Sequence, residues 1–458
     1  DNRQAMRSTY SGGYVQDDWK IRRNLTLNLG LRYEYQTPFT DPSDRMSILD
    51  LKTLRIVNVG TGGVSRSGLQ PDRNNFAPRI GFAWTPLQNL VVRGGYGLFY
   101  DSGMFVVNSS LYFNPPYFNV RIFFPTATSL LSLSNPFPAT GGVTPAPSPN
   151  TLSPDITTTY LQQWNLNVQR QLGSATTLSV AYAGSKGTHL VRSRDLNQPR
   201  PAPGDVAARR PYPAFGGIFF IESGARSSFH SAQLSLDRRL SRSFSLLASY
   251  TGSKSIDDAS AFLGTKADRN FPQDSNNIRA ERALSSFDAT HRFVAAYVYL
   301  LPRGYWYSRN TELRGITTLQ SGQPFTPLLR FDNSNTGNSG GVFGLDRPDL
   351  LRDPSINDRS PGRWFDTSAF AVPQRYRFGN AGRNIVRGPG VANFDLALLR
   401  RFTIREGVQL SIDAQSFNLF NHAQFDLPER FADEPAAFGR IFSAKASRQV
   451  QFALRLMW

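Results

Sequence analysis

The stretch from Asn24 to Tyr35 alternates between apolar and polar side chains without an exception. Its apolar set is Leu25, Leu27, Leu29, Leu31, Tyr33 and Tyr35, and its polar set is Thr26, Asn28, Gly30, Arg32 and Glu34. Because successive side chains of a strand point to opposite faces, the stretch predicts a strand of about eleven residues with one apolar face. Soluble strands have about five or six residues, whereas about 9 to 11 tilted residues cross a bilayer in a closed barrel.

The same alternation returns in the last residues, from Arg448 to Trp458. The even-numbered positions are apolar, namely Val450, Phe452, Leu454, Leu456 and Trp458, and the positions between them include Gln449, Gln451, Ala453 and Arg455. A half-buried strand of a soluble sandwich alternates in the same way, so one such stretch leaves both folds open. Two long strands of this design at opposite ends favour a membrane barrel, with apolar side chains toward lipid and polar ones toward the interior.

Thirteen strands can be placed along the chain, and the connections between them are alternately short and long. We therefore predict an all-β fold, a transmembrane antiparallel up-and-down β-barrel with short periplasmic turns and long extracellular loops. The predicted strands are 8–19, 25–35, 75–84, 90–100, 159–172, 177–186, 228–240, 244–253, 288–301, 311–321, 392–402, 408–419 and 448–458.

The long connections, rich in proline, glycine, serine and asparagine, are predicted to form the outward surface where a ligand is first met. They are 36–74, 101–158, 187–225, 254–285, 322–391 and 421–446. The strand count is odd, so the first and the last strand run in the same direction, from outside to inside. A complete barrel with both ends in the periplasm needs an even number. We therefore expect residues 1–458 to be the C-terminal part of a barrel, beginning directly after an extracellular loop.

The net charge of +17 comes almost wholly from arginine, since only six of the 51 basic residues are lysines. Nucleic-acid binding is not predicted, because these residues are spread from Arg3 to Arg455 and not clustered on one segment. Contact with anionic lipid headgroups is the simpler explanation, so the lipid bilayer and lipopolysaccharide are the expected partners. The sequence contains no run of about 18 apolar residues, so no transmembrane helix is predicted. The absence of cysteine excludes disulfides and thiolate metal sites.

Aromatic residues make up 12% of the chain, as an interfacial girdle would require. Trp19, Trp84, Trp306 and Trp458 fall at the predicted short-turn ends. A girdle is favoured there over ordinary core packing.

Two strands do not separate apolar and polar side chains onto two faces. In the first, either Asp17 or Asp18 must face the apolar side. The strand that includes residues 293–301 is apolar on both sides, which suggests contact with a plug inside the barrel.

The residues that could carry chemistry give weak signals. The four histidines, His189, His230, His291 and His422, have no metal-ligand spacing. Ser228 and Ser231 flank His230 and suggest a lipid-facing hydrolase, but an interfacial histidine is the favoured interpretation. Residues 93–97 (RGGYG) lie within a predicted strand with no following helix, which argues against phosphate binding and favours room for a plug. Asp257, Asp258 and the acids of residues 344–353 could bind a cation, although solvated loop charge is favoured. We predict no enzyme, no metal and no cofactor, and no ligand-binding residue can be named.

Several motifs resemble known sequences. Residues 14–20 (YVQDDWK) followed by 25–34 (LTLNLGLRYE) resemble a strand pair of TonB-dependent receptors. The order of further motifs is similar to the Oar-like branch with a carboxypeptidase-regulatory-like N-terminal domain. These motifs are 74–82 (NNFAPRIGF), 93–97 (RGGYG), 319–325 (LQSGQPF), 378–384 (FGNAGRN), 387–390 (RGPG) and 417–422 (FNLFNH).

The resemblance implies an outer-membrane receptor of a Gram-negative bacterium, with a barrel of about 22 strands. In that family the barrel is plugged by an N-terminal domain and driven by the TonB complex of the inner membrane, and the loops capture a large or scarce solute. Neither the plug nor the TonB-contacting segment has a counterpart in these residues. The final strand, ending at Trp458, resembles the signal that the barrel-assembly machinery recognises. A barrel that only anchors a surface adhesion or matrix protein remains an alternative.

Overall fold

The computed structural model describes residues 5–101, 105–123, 133–134, 136–137, 142–241, 243–261, 271–302, 304, 310–338 and 343–458. Thirteen long strands follow one another in a single antiparallel sheet, each hydrogen-bonded to its neighbours in the chain. This confirms the predicted up-and-down order and strand number. The strands are β1 (Tyr10–Arg22), β2 (Leu25–Gln36), β3 (Phe76–Leu87), β4 (Leu90–Tyr100), β5 (Tyr160–Leu172), β6 (Thr176–Asp195), β7 (Phe219–Ser241), β8 (Phe244–Asp257), β9 (His291–Leu300), β10 (Thr311–Gln320), β11 (Val391–Arg405), β12 (Val408–Phe417) and β13 (Gln449–Met457).

Short elements lie in the long connections. The helices are Phe105–Ser109, Ser110–Phe113, Val206–Arg209, Ile278–Glu281 and Thr367–Ala369. The short strands are Ser47–Asp50, Arg55–Asn58, Ile122–Phe123, Gly142–Val143, Asn150–Leu152, Ala283–Leu284, Pro324–Phe325, Asp349–Leu350, Phe370–Ala371 and Val386–Arg387. None of the helices in the described residues has the length and apolar character needed to cross a membrane.

The strand register separates the two faces of the sheet, because directly paired residues of neighbouring strands share a face. Leu29 pairs with Ile80 on one side and with Asp17 on the other. Asn28 pairs with Asp18 and donates a hydrogen bond of 2.6 Å to its carboxylate. Asp17 therefore lies on the apolar face and Asp18 on the polar face, which decides the alternative that the sequence left open.

The apolar face is exposed, as a lipid-facing barrel wall requires. Leu29 and Leu31 are 40% and 44% exposed, and Leu454 is 71% exposed. Two stacked sheets would have buried these leucines, so the sandwich alternative is wrong for the described strands. A cavity of about 560 Å³ lies against the opposite face and touches six consecutive strands, which makes the polar face the concave one. Its lining includes Asp237, Leu247, Ala296, Ile316, Asp395 and Gln415.

Strands β6 and β7 are longer than predicted, and part of the connection predicted at 187–225 is therefore strand. The added residues have no apolar and polar alternation, because they pack against other loops, as Val191 and Phe219 do. Contacts between strands that the sequence pattern does not predict hold these residues in place. Arg192 donates a hydrogen bond of 2.7 Å to Glu222 across the two strands, and Asn150–Leu152 adds to β7 in parallel.

Three of the tryptophans predicted for a girdle can be placed. Trp19 and Trp84 lie on the apolar face near short turns and are 55% and 44% exposed, and Trp458 is 90% exposed. Core packing does not explain such exposure, whereas an interfacial position does. The fourth, Trp306, lies outside the described residues.

Candidate ligand-binding surface

The six long connections all leave the same edge of the sheet, because every strand is antiparallel to the next. Together they form a candidate ligand-binding surface, here called the outer cap: the described parts of residues 37–75, 101–159, 196–218, 258–290, 321–390 and 418–448. Barrels of the outer membrane carry their long loops on the external side. The outer cap is therefore the candidate surface for contact with a solute.

Apolar clusters give the outer cap a fixed structure. One cluster joins the first two connections to β7, and its members include Met46, Leu111, Tyr112, Leu152 and Ile221, all at most 3% exposed. A second cluster lies between the last two connections, where Phe365 makes edge-on contacts with Phe370 and Phe438 at ring-centroid distances of 5.8 and 5.0 Å. Burial of such rings stabilises each cluster by several kcal/mol, on the order of 2 per side chain.

A tyrosine and an aspartate are buried together with the first cluster. The Tyr112 hydroxyl donates a hydrogen bond of 2.7 Å to the Asp41 carboxylate, and neither side chain is exposed. Burial and this carboxylate raise the pKa of Tyr112 above its ordinary value. Burial also acts to raise the pKa of Asp41, but hydrogen bonds from Tyr112 and Ser43 and the charge of Arg45 outweigh it and leave that pKa lowered.

Two buried ion pairs link separate connections. Arg383 pairs with Asp257 at the end of β8, and the two side chains are 3% and 2% exposed. The same guanidinium donates to the backbone oxygens of Asp257 and Glu281, both at 2.8 Å. Arg347 pairs with the Glu281 carboxylate, and both side chains are 5% exposed. The connection 321–390 is thus tied to β8 and to residues 271–290.

A buried polar centre joins three connections. Gln198 donates to the Gln273 backbone oxygen and to the Asn338 side chain, both at 3.0 Å. Asn338 in turn donates to Asp346 at 2.8 Å. Asp346 also accepts from the Ser334 backbone amide at 2.6 Å. Burial raises the pKa of Asp346 to about 6 despite these donors.

The acids considered as cation ligands are already bonded to protein groups. Asp257 pairs with Arg383, and Asp258 accepts from the Arg226 amide at 2.7 Å. Asp346 and Asp349 are buried, so the prediction that the acids of residues 344–353 are solvated loop charge is wrong for these two. It failed because tertiary contacts, which sequence spacing does not reveal, bring donors to them. The part of the chain that the structure describes holds no group of three acids or histidines able to bind a metal.

His230 and Ser231 lie on opposite faces of the sheet. His230 is exposed on the apolar face and its Nδ1 lies 2.6 Å from the Tyr182 hydroxyl. Ser231 lies on the opposite face, where it is 2% exposed and donates to the Ala183 backbone oxygen at 3.2 Å. Ser231 therefore cannot pair with His230. Ser228 shares the apolar face with His230, but its hydroxyl accepts a hydrogen bond of 3.4 Å from Arg282, and His230 Nδ1 lies against Tyr182. The geometry therefore favours the interfacial histidine over the hydrolase.

The remaining histidines have their own settings. His291 Nδ1 lies 2.7 Å from the Tyr250 hydroxyl, His189 has a positive φ of 55°, and the His422 backbone amide donates to Asn418 at 2.9 Å.

The glycine-rich residues 93–97 lie within β4, as predicted. Gly94 is on the apolar face, where a Cβ would overlap the Phe82 ring. At that position, packing on the lipid side explains the glycine.

A second cavity, of about 750 Å³, lies within the outer cap between three connections. Its lining combines apolar rings with charges, including Phe287, Phe325, Leu427, Glu429, Arg430 and Phe431. A cleft of this size with a few polar groups has the dimensions of a small-molecule site. No pattern in the sequence predicts this cavity, because its lining residues come from three separate connections between Ser260 and Ser443.

Apolar side chains also reach the concave face. Leu247 and Ile316 are 52% and 50% exposed there, next to Ala296 and Val298 of β9. This agrees with the sequence observation that β9 is apolar on both sides. The partner that would cover this surface stays a prediction.

Comparison with known proteins agrees with this architecture. The family model of the outer membrane beta barrel domain matches residues 1–451. Among solved structures, the outer membrane transporter YddB from Escherichia coli is similar with a TM-score of 0.51 and 12% identity, covering 98% of this chain and 45% of that one. The siderophore receptor PiuA from Acinetobacter baumannii gives a TM-score of 0.50 and 10% identity, covering 99% and 43%.

The chain thus spans less than half the length of these two proteins, and their identities are low enough to compare folds only. No curated protein sequence is significantly similar to it. The wall of thirteen antiparallel strands, its exposed apolar face and the family match agree with one another. The chain belongs to the outer membrane beta barrel domain family, and its strands lie in the outer membrane of a Gram-negative cell.

Proposed function

We propose that this chain is the C-terminal part of the barrel of a TonB-dependent outer-membrane receptor. In this proposal the outer cap binds a large or scarce solute, which then passes through a plugged barrel with energy supplied by the TonB complex. Only binding and passage are involved, and no bond is made or broken. The plug, the first strands and the TonB-contacting segment would belong to the same protein but lie outside residues 1–458.

The observation that carries the proposal is the ordered outer cap above a concave polar wall. Adhesive loops need only be accessible, whereas recognition of a solute needs groups fixed in place. Here the connections are fixed by apolar clusters and by the buried pairs Arg383–Asp257 and Arg347–Glu281. They also enclose a cavity of about 750 Å³.

The exposed apolar residues on the concave face support the same proposal. Leu247 and Ile316 would be covered by a plug that occupies the barrel interior. The lining of a water-filled pore is polar, so exposed apolar side chains there indicate a surface that another part of the protein covers. The strand β13 and Trp458 would be the site at which the barrel-assembly machinery recognises the chain.

Uptake in whole cells tests the proposal. The probes are radioactive iron bound to a hydroxamate siderophore, the same iron bound to a catecholate siderophore, and radiolabelled cobalamin. Siderophores are included because PiuA is a siderophore receptor by name. Deletion of the full-length gene is expected to abolish uptake of at least one probe. A protonophore should stop uptake but leave surface binding intact, because only passage depends on TonB.

Two results would contradict this function. Unchanged uptake of every probe in the deletion strain would argue against import. Loss of cell adhesion to surfaces in the same strain would favour the anchored adhesion protein instead.

A further inference from the structure

Four basic side chains form a patch on the apolar face at the outer end of β6, β7 and β8. We call it the lipid-side basic patch, and its members are Lys186, His230, Lys254 and Arg282. Lys186 follows Tyr182 by four residues on β6, and Lys254 follows Tyr250 by four on β8. An even offset keeps a side chain on the same face, so both lysines point away from the barrel interior.

The four residues surround Ser228. Lys186 is directly opposite Ser228 on the neighbouring strand, and Arg282 donates to the Ser228 hydroxyl at 3.4 Å. His230 is two residues from Ser228 on β7 and directly opposite Lys254. Directly opposite side chains are about 5 Å apart at Cβ and diagonal ones about 7 to 8 Å. All four basic groups can therefore reach one ligand of phosphate size.

In the part of the chain that the structure describes, no carboxylate neutralises the charges of this patch. Lys186, Lys254 and Arg282 are all exposed. Among the ion pairs of the described residues, none includes any of the three. The nearby carboxylates are turned to other partners, since Asp257 pairs with Arg383 and Asp258 lies 3.5 Å from Arg192. An anion could approach from the lipid side without competing with an acid of the described residues.

An aromatic band fixes the depth of the patch in the membrane. Trp164 donates to the Tyr182 hydroxyl at 3.5 Å, and its ring centroid lies 6.0 Å from that of His230. Tyr250 repeats the arrangement with His291 on the next strands. Rings with polar tips of this kind mark the boundary between hydrocarbon and headgroups. The patch is directly outside this boundary, at the level of the outer-leaflet headgroups.

From this juxtaposition we infer that the patch is a binding site for the phosphate group of an outer-leaflet glycolipid, the lipid A part of lipopolysaccharide. The cationic groups contact the phosphate, while the acyl chains lie along the exposed apolar face below, which includes Val180 and Leu234. Ammonium and guanidinium groups form strong charge-assisted hydrogen bonds with phosphate oxygens. The inference goes beyond the proposed function and holds whether or not the barrel transports a solute.

Native mass spectrometry of the full-length protein in detergent tests it, with purified bisphosphorylated lipid A as the probe. The wild type is expected to retain one lipid A molecule. The triple variant Lys186→Gln, Lys254→Gln and Arg282→Gln should bind about a hundredfold more weakly, because each cation near the headgroups contributes about a factor of five. The matched control removes three basic residues of the apolar face at the short-turn end, Arg170→Gln, Arg238→Gln and Arg400→Gln, and should bind like the wild type.

The outcomes distinguish a lipid A site from a simple anion site and from a general effect of charge. Weaker binding of lipid A stripped of its phosphates supports the site, and equal binding overturns it. Displacement of lipid A by inorganic phosphate alone would show a simple anion site and overturn the lipid assignment. Equal loss in the triple variant and the control would show only a general charge effect. If the triple variant assembles poorly, as judged by heat-modifiable electrophoretic mobility, the double variant Lys186→Gln and Lys254→Gln replaces it, with a loss of at least about tenfold expected.

Discussion

The buried ion pair between Arg383 and Asp257 should control the stability of the outer cap. Replacement of Arg383 by methionine keeps the length of the side chain but leaves the Asp257 carboxylate, 2% exposed, without its cation. It also removes the hydrogen bonds to the backbone oxygens of Asp257 and Glu281. Breaking a buried pair in this way costs about 3 to 5 kcal/mol. The connection 321–390 should then open between about a hundredfold and several thousandfold more often.

Proteolysis of the purified receptor under native conditions measures this opening. When opening and closing are faster than cleavage, the cleavage rate follows the population of the open form. Trypsin cleavage within residues 321–390 should rise by the factor given above in Arg383→Met, while the barrel strands stay protected. The matched control is Arg352→Met, because Arg352 is 54% exposed in its pair with Asp366 and should change the rate by no more than about twofold.

A double variant separates the charge from the packing. Adding Asp257→Asn to Arg383→Met removes the unpaired buried charge, so the double variant should be cleaved more slowly than Arg383→Met alone. Cleavage of Arg383→Met at the rate of the Arg352→Met control would refute the reasoning. So would a double variant whose two effects simply add.

Three further predictions concern other parts of the chain. Because the folded outer cap raises the pKa of Asp346 from 3.8 to about 6, it binds that proton more tightly than the unfolded cap does. The free energy of opening of the cap should thus fall by about 3 kcal/mol as pH rises from about 4 to 6, and proteolysis should become faster. Asp346→Asn should flatten this pH dependence, and an unchanged slope in that variant would contradict the prediction. Gly379→Ala should destabilise the cap, since its Cβ would overlap an opposing backbone carbonyl, whereas Gly362→Ala in the same connection, with only one atom at 3.8 Å, should be tolerated; equal protease resistance would refute the packing. Val180→Arg on the apolar face should cost about 2 to 4 kcal/mol in urea unfolding from lipid vesicles, and Ser179→Arg on the concave face should cost little; the reverse order would invert the assignment of the two faces.

The fold was largely readable from the sequence, and the reason lies in the geometry of a strand. Alternation with a period of two is a local property, so residues 25–35 and 448–458 reveal a two-faced strand without any knowledge of their neighbours. Six short connections between antiparallel strands then fix the order of the sheet. The prediction was wrong where this signal ends, as in β6 and β7 beyond Lys186 and before Ser228, because those residues face other loops and not lipid.

The candidate site was not readable, because it depends on contacts between distant parts of the chain. Arg383 and Asp257 are separated by 126 positions, and Gln198 and Asn338 by 140. The choice between Asp17 and Asp18 likewise needed the register against β2. Local alternation by itself determined that the chain forms membrane-spanning strands with one apolar, lipid-facing side. Only the tertiary structure decided which charges are buried, which connections are tied together and where cavities open, since pairing energies depend on distances that spacing along a chain does not set.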